Sequence, residues 1–280
     1  MNLPPVRSWL VEAAQRIDAA LGPARVRRIV LPPLAGRPGR EGEFCAVQLD
    51  DGSVGLAFTL LDGTLAALHA RGDRGRVGRM AMELVRGYAA GDGDARALGL
   101  AAINALTRRL FDRAGFVPDD SIDSFGSLAL EPGDRLGMVG HFTPLIEQAR
   151  ALGIPVTVLE LKAELVREEP DLVVTLDPAR LAGCNKIVST STLLLNDTFE
   201  AVARCWQGAD AVAIVGPSAG CPPDPLFAAG VSAVGAAWVV DAEAFLARCA
   251  AGAKWGETSR KVTLTPQRYP GLDALLASLH

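Results

Sequence analysis

The chain has 280 residues, 49% of them hydrophobic and 21% charged, which supplies sizeable cores and excludes a disordered chain. A formal net charge of −4 is too mild to point to nucleic acid or a membrane surface, and no stretch reaches the roughly 18 uncharged apolar residues of a membrane span. At roughly 100–200 residues per domain two domains are expected, divided near residue 130. Residues 1–130 carry 16 Arg against 15 acids, a net of +1, and residues 131–280 carry 12 Lys and Arg against 17 acids, a net of −5.

Residues 6–21 place Val6, Leu10, Ala14, Ile17 and Leu21 on one helical face, and Gly22-Pro23 ends that helix. Arg7, Glu12, Arg16 and Asp18 interrupt the segment, so no secretory signal is expected there. Residues 26–31 read as a strand, followed by a Gly/Arg loop over 35–42. Residues 44–49 and 54–60 read as two strands joined by the hairpin signal Asp50-Asp51-Gly52-Ser53. A second Gly/Arg loop over 71–78 leads to a helix carrying Val77, Met80, Leu84, Val85 and Tyr88. A helix nearly all apolar in its middle spans 95–111. The first domain, residues 1–130, is therefore expected to be α+β.

Pro132-Gly133 marks a boundary, and strands then alternate with helices. Strands are expected at 136–139, 156–161, 171–176, 186–189, 211–215, 234–240 and 262–265. Helices follow from Thr143-Pro144 to Leu152, from 196 to 206, and from Asp241 to Ala250. This is the pattern of βαβ units in a mainly parallel sheet, so residues 131–280 are expected to form an α/β domain of Rossmann-like kind. The five cysteines, Cys45, Cys184, Cys205, Cys221 and Cys249, are odd in number and form no CxxC pair. That predicts reduced thiols and a cytoplasmic protein, not a disulfide framework or a structural zinc site.

Ligands of open parallel sheets bind beyond the carboxyl ends of the strands. The residues there are Gly140, His141 and Phe142 after the first strand and Glu160 after the second. Ser191 and Thr192, with Asn196, Asp197 and Thr198, follow the next long strand, and Gly216, Pro217 and Ser218 the one after. Small hydroxyls, glycines and free N–H groups at helix starts suit an anion. Each position also has a plain structural reading. Gly137 and Gly140 fall short of a dinucleotide fingerprint and serve close packing equally well. Glu160 sits where a Rossmann acid grips a ribose, or is a surface acid beside Lys162. His141 is a ligand, a general base or a packing residue. Asp197 and Glu200 form a helix cap of the capping-box kind. Cys221 is a soft metal ligand, a nucleophile or an inert thiol. Asn104, the single polar residue of the run Ala97 to Leu106, either bonds nearby backbone or points into the junction with the second domain. Arg37, Arg40, Arg71, Arg74, Arg76 and Arg79 are expected to be mostly solvated loop residues.

The run Gly99-Leu100-Ala101-Ala102-Ile103-Asn104-Ala105, the strand Val54-Gly55-Leu56-Ala57-Phe58-Thr59 and the segment Gly137-Met138-Val139-Gly140-His141-Phe142 occur in order with Thr192…Asn196-Asp197-Thr198 and Val215-Gly216-Pro217-Ser218. Together they resemble the "putative heavy-metal chelation" family. The resemblance implies an enolase N-terminal-like domain joined to a Rossmann-like domain, with a cleft between them lined by Asn104, Gly140, His141, Thr192, Asn196, Thr198, Gly216 and Ser218. The family more often has Gly where this chain has Asp197. The implied function is metal handling, or the binding of a metal chelate, with a small anionic ligand held in the cleft and a divalent or heavy metal ion as cofactor. Two other readings stand beside it. One is a transferase or hydrolase acting on a pterin-, flavin- or siderophore-like molecule on a methyltransferase-like domain, and the other is a non-catalytic nucleotide-sensing or interaction module. The expected partners are a small-molecule or metal-chelate ligand and a second copy of the chain in a homodimer, with neither nucleic acid nor membrane.

Overall fold

A computed structural model describes residues 5–34, 44–61, 63–73, 75–121, 125 and 128–279. The 35–42 loop with Arg37 and Arg40, and Arg74, lie outside the described residues. Helix α1 (Val6–Leu21) buries Val6, Leu10, Ala13, Ala14 and Ile17. Strands β1 (Val26–Val30), β2 (Phe44–Leu49) and β3 (Val54–Phe58) form an antiparallel sheet in that order, with the β2–β3 turn pinned by Ser53 N donating to the Asp51 carboxylate at 3.0 Å. Helix α4 (Gly93–Arg113) packs against β2 and β3 of it, and helices α2 (Thr64–Arg71) and α3 (Ala81–Ala90) pack on α4. Arg71, Arg76 and Arg79 are less free than expected: Arg71 and Arg76 both reach the buried Asp94, at 3.1 and 3.9 Å, and Arg79 pairs with Glu83 at 3.0 Å.

The second sheet begins with the short β4 (Asp119–Asp120) and then β5 (Leu136–Val139). Next come α5 (Thr143–Ala151), β6 (Val156–Leu159), β7 (Arg167–Glu169), β8 (Leu172–Thr175), β9 (Lys186–Thr190), α6 (Phe199–Ala203) and β10 (Ala211–Val215). The chain continues with α7 (Asp224–Ala228), β11 (Ala233–Val239), α8 (Ala242–Ala250), β12 (Ser259–Leu264) and α9 (Leu272–Ala277). The order of this sheet is β4-β12-β11-β10-β9-β5-β6-β8-β7. Its six central strands are parallel. Numbered among themselves they run 3-2-1-4-5-6, the order of a doubly wound sheet, and strand order reverses between β5 and β9. The antiparallel strands β7, β12 and β4 lie outside them, and both edges are charged, with Arg167-Glu168-Glu169 at one and Asp119-Asp120 at the other. Charged edges oppose strand addition by another chain.

Alternation along each strand sorts the core. Met138, Val156, Val188 and Ala213 face Leu145, Ile146 and Ala149 of α5. Ile187, Val212 and Ile214 face the other way, into a core that also holds Leu100, Ile103 and Leu106 of α4 and Leu10 and Ile17 of α1. The α+β part therefore packs directly on one face of the large sheet. Helix α8 wedges Phe245, Leu246 and Cys249 between Val239 and the small sheet's Ala46 and Leu56. Its start is capped as expected, Asp241 accepting from Ala244 N at 3.0 Å.

Elsewhere the expectations need correction. Thr143 does not cap α5; Phe142 holds the N-cap position without a side-chain bond, and Pro144 sits in the first turn. The single helix expected over 196–206 is broken. Ser191–Leu194 forms one 3-10 turn, Asp197 adopts φ 61°, and only then does α6 begin, followed by a second 3-10 turn at Arg204–Trp206. The local cause is Asn196, whose Oδ1 accepts from Thr198 Oγ1 at 2.6 Å and Thr198 N at 3.3 Å, so side chain replaces backbone as the partner of that turn. Asp197 and Glu200 accordingly make no capping box.

Candidate site at the strand-order reversal

The loops after β5 and β9 meet where strand order reverses. Gly140 has φ 90° and is held by its N–H on Leu159 O at 2.9 Å. A Cβ there would lie 3.3 Å from Thr190 Cγ2 and 3.7 Å from the Phe142 ring, so both the conformation and the close approach favour glycine. Glu160 fastens this loop. One carboxylate oxygen accepts from His141 N at 3.1 Å and the other from Leu161 N at 2.8 Å. The acid is thereby engaged with backbone instead of standing ready for a ribose. The packing reading of Gly137 is also realised, since its Cα faces Cys184, Ile187 and Leu181 with a virtual Cβ 3.1 Å from each.

The His141 ring lies between two side chains. Arg167 Nη2 is 3.4 Å from Nε2, and Thr143 Oγ1 is 3.4 Å from Nδ1. A guanidinium has no acceptor, so at this contact Nε2 accepts and Nδ1–H faces the threonine. Arg167 also bonds Glu169 at 3.0 Å and Leu165 O at 3.4 Å. On the β9 side, Thr190 Oγ1 receives Thr192 N at 3.3 Å and Thr192 Oγ1 at 3.2 Å. Gly216 closes that side against the Ser191 hydroxyl. Gly140, His141, Phe142, Glu160, Ser191, Thr192 and Gly216 thus all lie at or just beyond the carboxyl ends of the adjacent strands β6, β5, β9 and β10. Arg167 and Thr190 belong there too. The charged run Arg167-Glu168-Glu169 carried no strand or site signal in the sequence, because an edge strand paired on one side needs no apolar alternation.

Asn196, Asp197 and Thr198 follow the Ser191–Leu194 turn and form a latch to the α+β part. Asp197 pairs with Arg7 and, at 2.9 Å, with Arg96. Arg96 also bonds Leu195 O at 3.0 Å, Tyr88 Oη donates to Leu194 O at 2.7 Å, and Glu200 receives Val6 N at 2.9 Å. Asp197 is therefore neither turned back on its own helix nor waiting for a metal. Its left-handed backbone costs about 1–2 kcal/mol, while half-exposed ion pairs return about 0–1 kcal/mol each. Asp197→Gly is accordingly expected to leave stability unchanged within about 1 kcal/mol. Urea unfolding should show the variant losing the salt dependence that the two ion pairs confer; a loss above 2 kcal/mol would show that the latch outweighs the strain.

Asn104, Pro217 and Ser218 form a third group. Asn104 Nδ2 donates to Leu56 O at 2.7 Å and Ser218 O at 2.9 Å, and Ser218 Oγ receives Phe58 N at 3.0 Å. Pro217 opens the 3-10 turn that carries Ser218. Asn104 Oδ1 has no partner and borders a space of about 30 Å³ among Leu56, Gly220 and Trp238. That volume holds a water or two, not a chelate. Asn104 ties the two sheets together and also lines that space.

Among the described residues no three of His, Cys, Asp and Glu gather as a metal-holding group. Two of the thiols are protected: Cys221 and Cys45 are fully buried, and burial pushes each up to about 12. Cys221 is thus an inert thiol, not a nucleophile or soft ligand. Among the described residues no helix is long and apolar enough to cross a membrane.

These features define an α/β protein with a large, mainly parallel, doubly wound sheet carrying an α+β module on one face. The chain belongs to the family described as "Putative heavy-metal chelation": one family model of that description matches residues 123–266, more than half of the chain, and a second matches residues 42–107. Two crystal structures of DUF364-family proteins of unknown function are similar throughout. The one from Pyrococcus horikoshii is 17% identical with a TM-score of 0.66, covering 91% of this chain and 99% of that one. The one from Desulfitobacterium hafniense is 19% identical with a TM-score of 0.62, covering 92% and 98%. At such identities the likeness establishes the fold. No curated protein matches the chain.

Proposed function

We propose that the chain binds a small organic anion in the crevice between the β5 and β9 loops, and that any metal arrives as part of a chelate whose organic component supplies its ligands. The observation that carries this reading is the convergence, at the reversal of strand order, of the Gly140–His141 loop, the Thr190–Thr192 loop and the Arg167 guanidinium. Arg167 provides charge, the threonine hydroxyls and the start of α5 provide donors, and water is displaced from one side by Phe142. In this reading the organic ligand supplies the metal's donors, in keeping with the described residues, among which no three of His, Cys, Asp and Glu gather as a metal-holding group.

Calorimetry with citrate, Ni(II)-citrate and Ni(II) alone tests it. Citrate and its nickel complex should bind at one equivalent and Ni(II) alone should not. Arg167→Gln should weaken both by about 10-fold or more, the value of one charge-assisted hydrogen bond of roughly 1.5–3 kcal/mol. One equivalent of Ni(II) bound without citrate, or citrate binding indifferent to Arg167→Gln, contradicts the proposal.

A further inference from the structure

Three large aliphatic side chains stand exposed at one end of the large sheet: Leu161 is 68% exposed, and Val166 and Leu176 are each 48% exposed. Backbone bonds bring them together. Glu160 N donates to Thr175 O at 2.9 Å, so Leu161 and Leu176 each follow one member of a bonded pair. Val166 precedes Arg167, whose partner across the β7–β8 ladder is Val174. Leu165 N and Val166 N bond back to Lys162 O and Ala163 O, which folds the 162–166 turn over the ends of β6 and β8. The next residue, Arg167, is the one that reaches the His141 ring. Half-buried Phe142 and Leu165, packed on the same core, continue the apolar surface toward that ring. Exposed aliphatics scattered singly need no explanation, but three on adjacent strand ends beside a cation do.

We propose that the ligand of the crevice is amphiphilic, an organic acid whose anionic head meets Arg167, His141 and Thr192 and whose apolar portion lies on Leu161, Val166 and Leu176. This rests on the reading of the crevice as an anion site. Two observations choose the occupant. The β7 edge is Arg167-Glu168-Glu169, whose charges oppose a second copy adding its strand. Glu160, which would take the ribose of a nucleotide in a doubly wound sheet, is engaged by the His141 and Leu161 N–H groups, so a ligand without a sugar fits better.

The test is binding of n-alkanoates from acetate to octanoate by the full chain, with ADP as the nucleotide control. Affinity should rise about twofold per methylene, as expected for a CH₂ half covered by protein, and hence about 15-fold from butanoate to octanoate. The exposed positions tolerate substitution, so Leu161→Ser with Leu176→Ser should keep the fold and flatten that slope, while Arg167→Gln should weaken every member equally. Carboxylate binding that depends on Arg167 but not on chain length would overturn the amphiphilic ligand and leave the anion site standing. Failure of all alkanoates, or indifference to Arg167→Gln, would remove both. ADP binding more tightly than octanoate with the same dependence on Leu161 would identify a nucleotide instead. A dimer in sedimentation that Leu161→Ser dissociates would make the rim a contact between copies.

Discussion

Gly55→Ala is expected to abolish folding. Strand β3 crosses α4 so closely that a Cβ at residue 55 would lie 2.1 Å from Ala101 O, 2.2 Å from Ala105 N and 2.8 Å from Asn104 C. All three are backbone atoms, so no rotamer relieves the overlap, and the helix must move away from the strand by more than 1 Å to reach van der Waals distance. That shift opens the core at Leu56 and along the buried length of α4, Leu100 to Leu110. Overpacking that side chains can absorb costs about 1–3 kcal/mol; displacement of a central helix exceeds that and approaches the roughly 5–15 kcal/mol that stabilises a whole protein. Gly208→Ala, where nothing lies within 4 Å, is the control and should be close to neutral. Insoluble or protease-sensitive Gly55→Ala beside a soluble Gly208→Ala is the expected result. A Gly55→Ala protein that melts within a few degrees of the parent would show that β3 and α4 do not pack this closely.

Asn104→Leu carries the second-largest effect. The substitution keeps volume but removes the donor shared by Leu56 O and Ser218 O, both in the interior. Each buried carbonyl left without a donor costs about 1–3 kcal/mol, and removing the unpartnered Oδ1 returns about as much as one of them. The net expectation is a loss of about 2 kcal/mol in denaturant unfolding. Citrate affinity of the folded fraction should be unchanged. Unchanged stability with lost citrate binding would instead make Asn104 a ligand contact and move the site to the junction.

The readable part of the fold was the part with strong local physics. The six parallel strands are short apolar runs bounded by turn residues, and α1 and α4 carry unambiguous apolar faces. Strand β7, with the sequence Arg-Glu-Glu, and strand β4, with two aspartates, have no such pattern because each pairs on one side only and faces water. The candidate residues at the carboxyl ends of the strands were legible because strand ends can be counted in the sequence. Their division was not. Asn104, Thr192, Asp197 and Ser218 look alike as isolated polar residues in loops or apolar runs. Only the partners, Leu56 O for Asn104 and Arg7 with Arg96 for Asp197, show that these two are structural ties. Arg167 was invisible for the same reason as its strand: it reaches His141, 26 residues earlier in the sequence, across an edge that sequence patterning does not mark.

The most direct test of the crevice is amide hydrogen exchange with and without saturating citrate. Protection is expected at Gly140–Phe142, at Leu165–Arg167 and at Thr190–Thr192, with exchange around Leu56 and Ser218 unchanged. Protection confined to the segments 54–58 and 216–220, with the strand-end loops unaffected, would contradict a site at the reversal of strand order and place the ligand against Asn104.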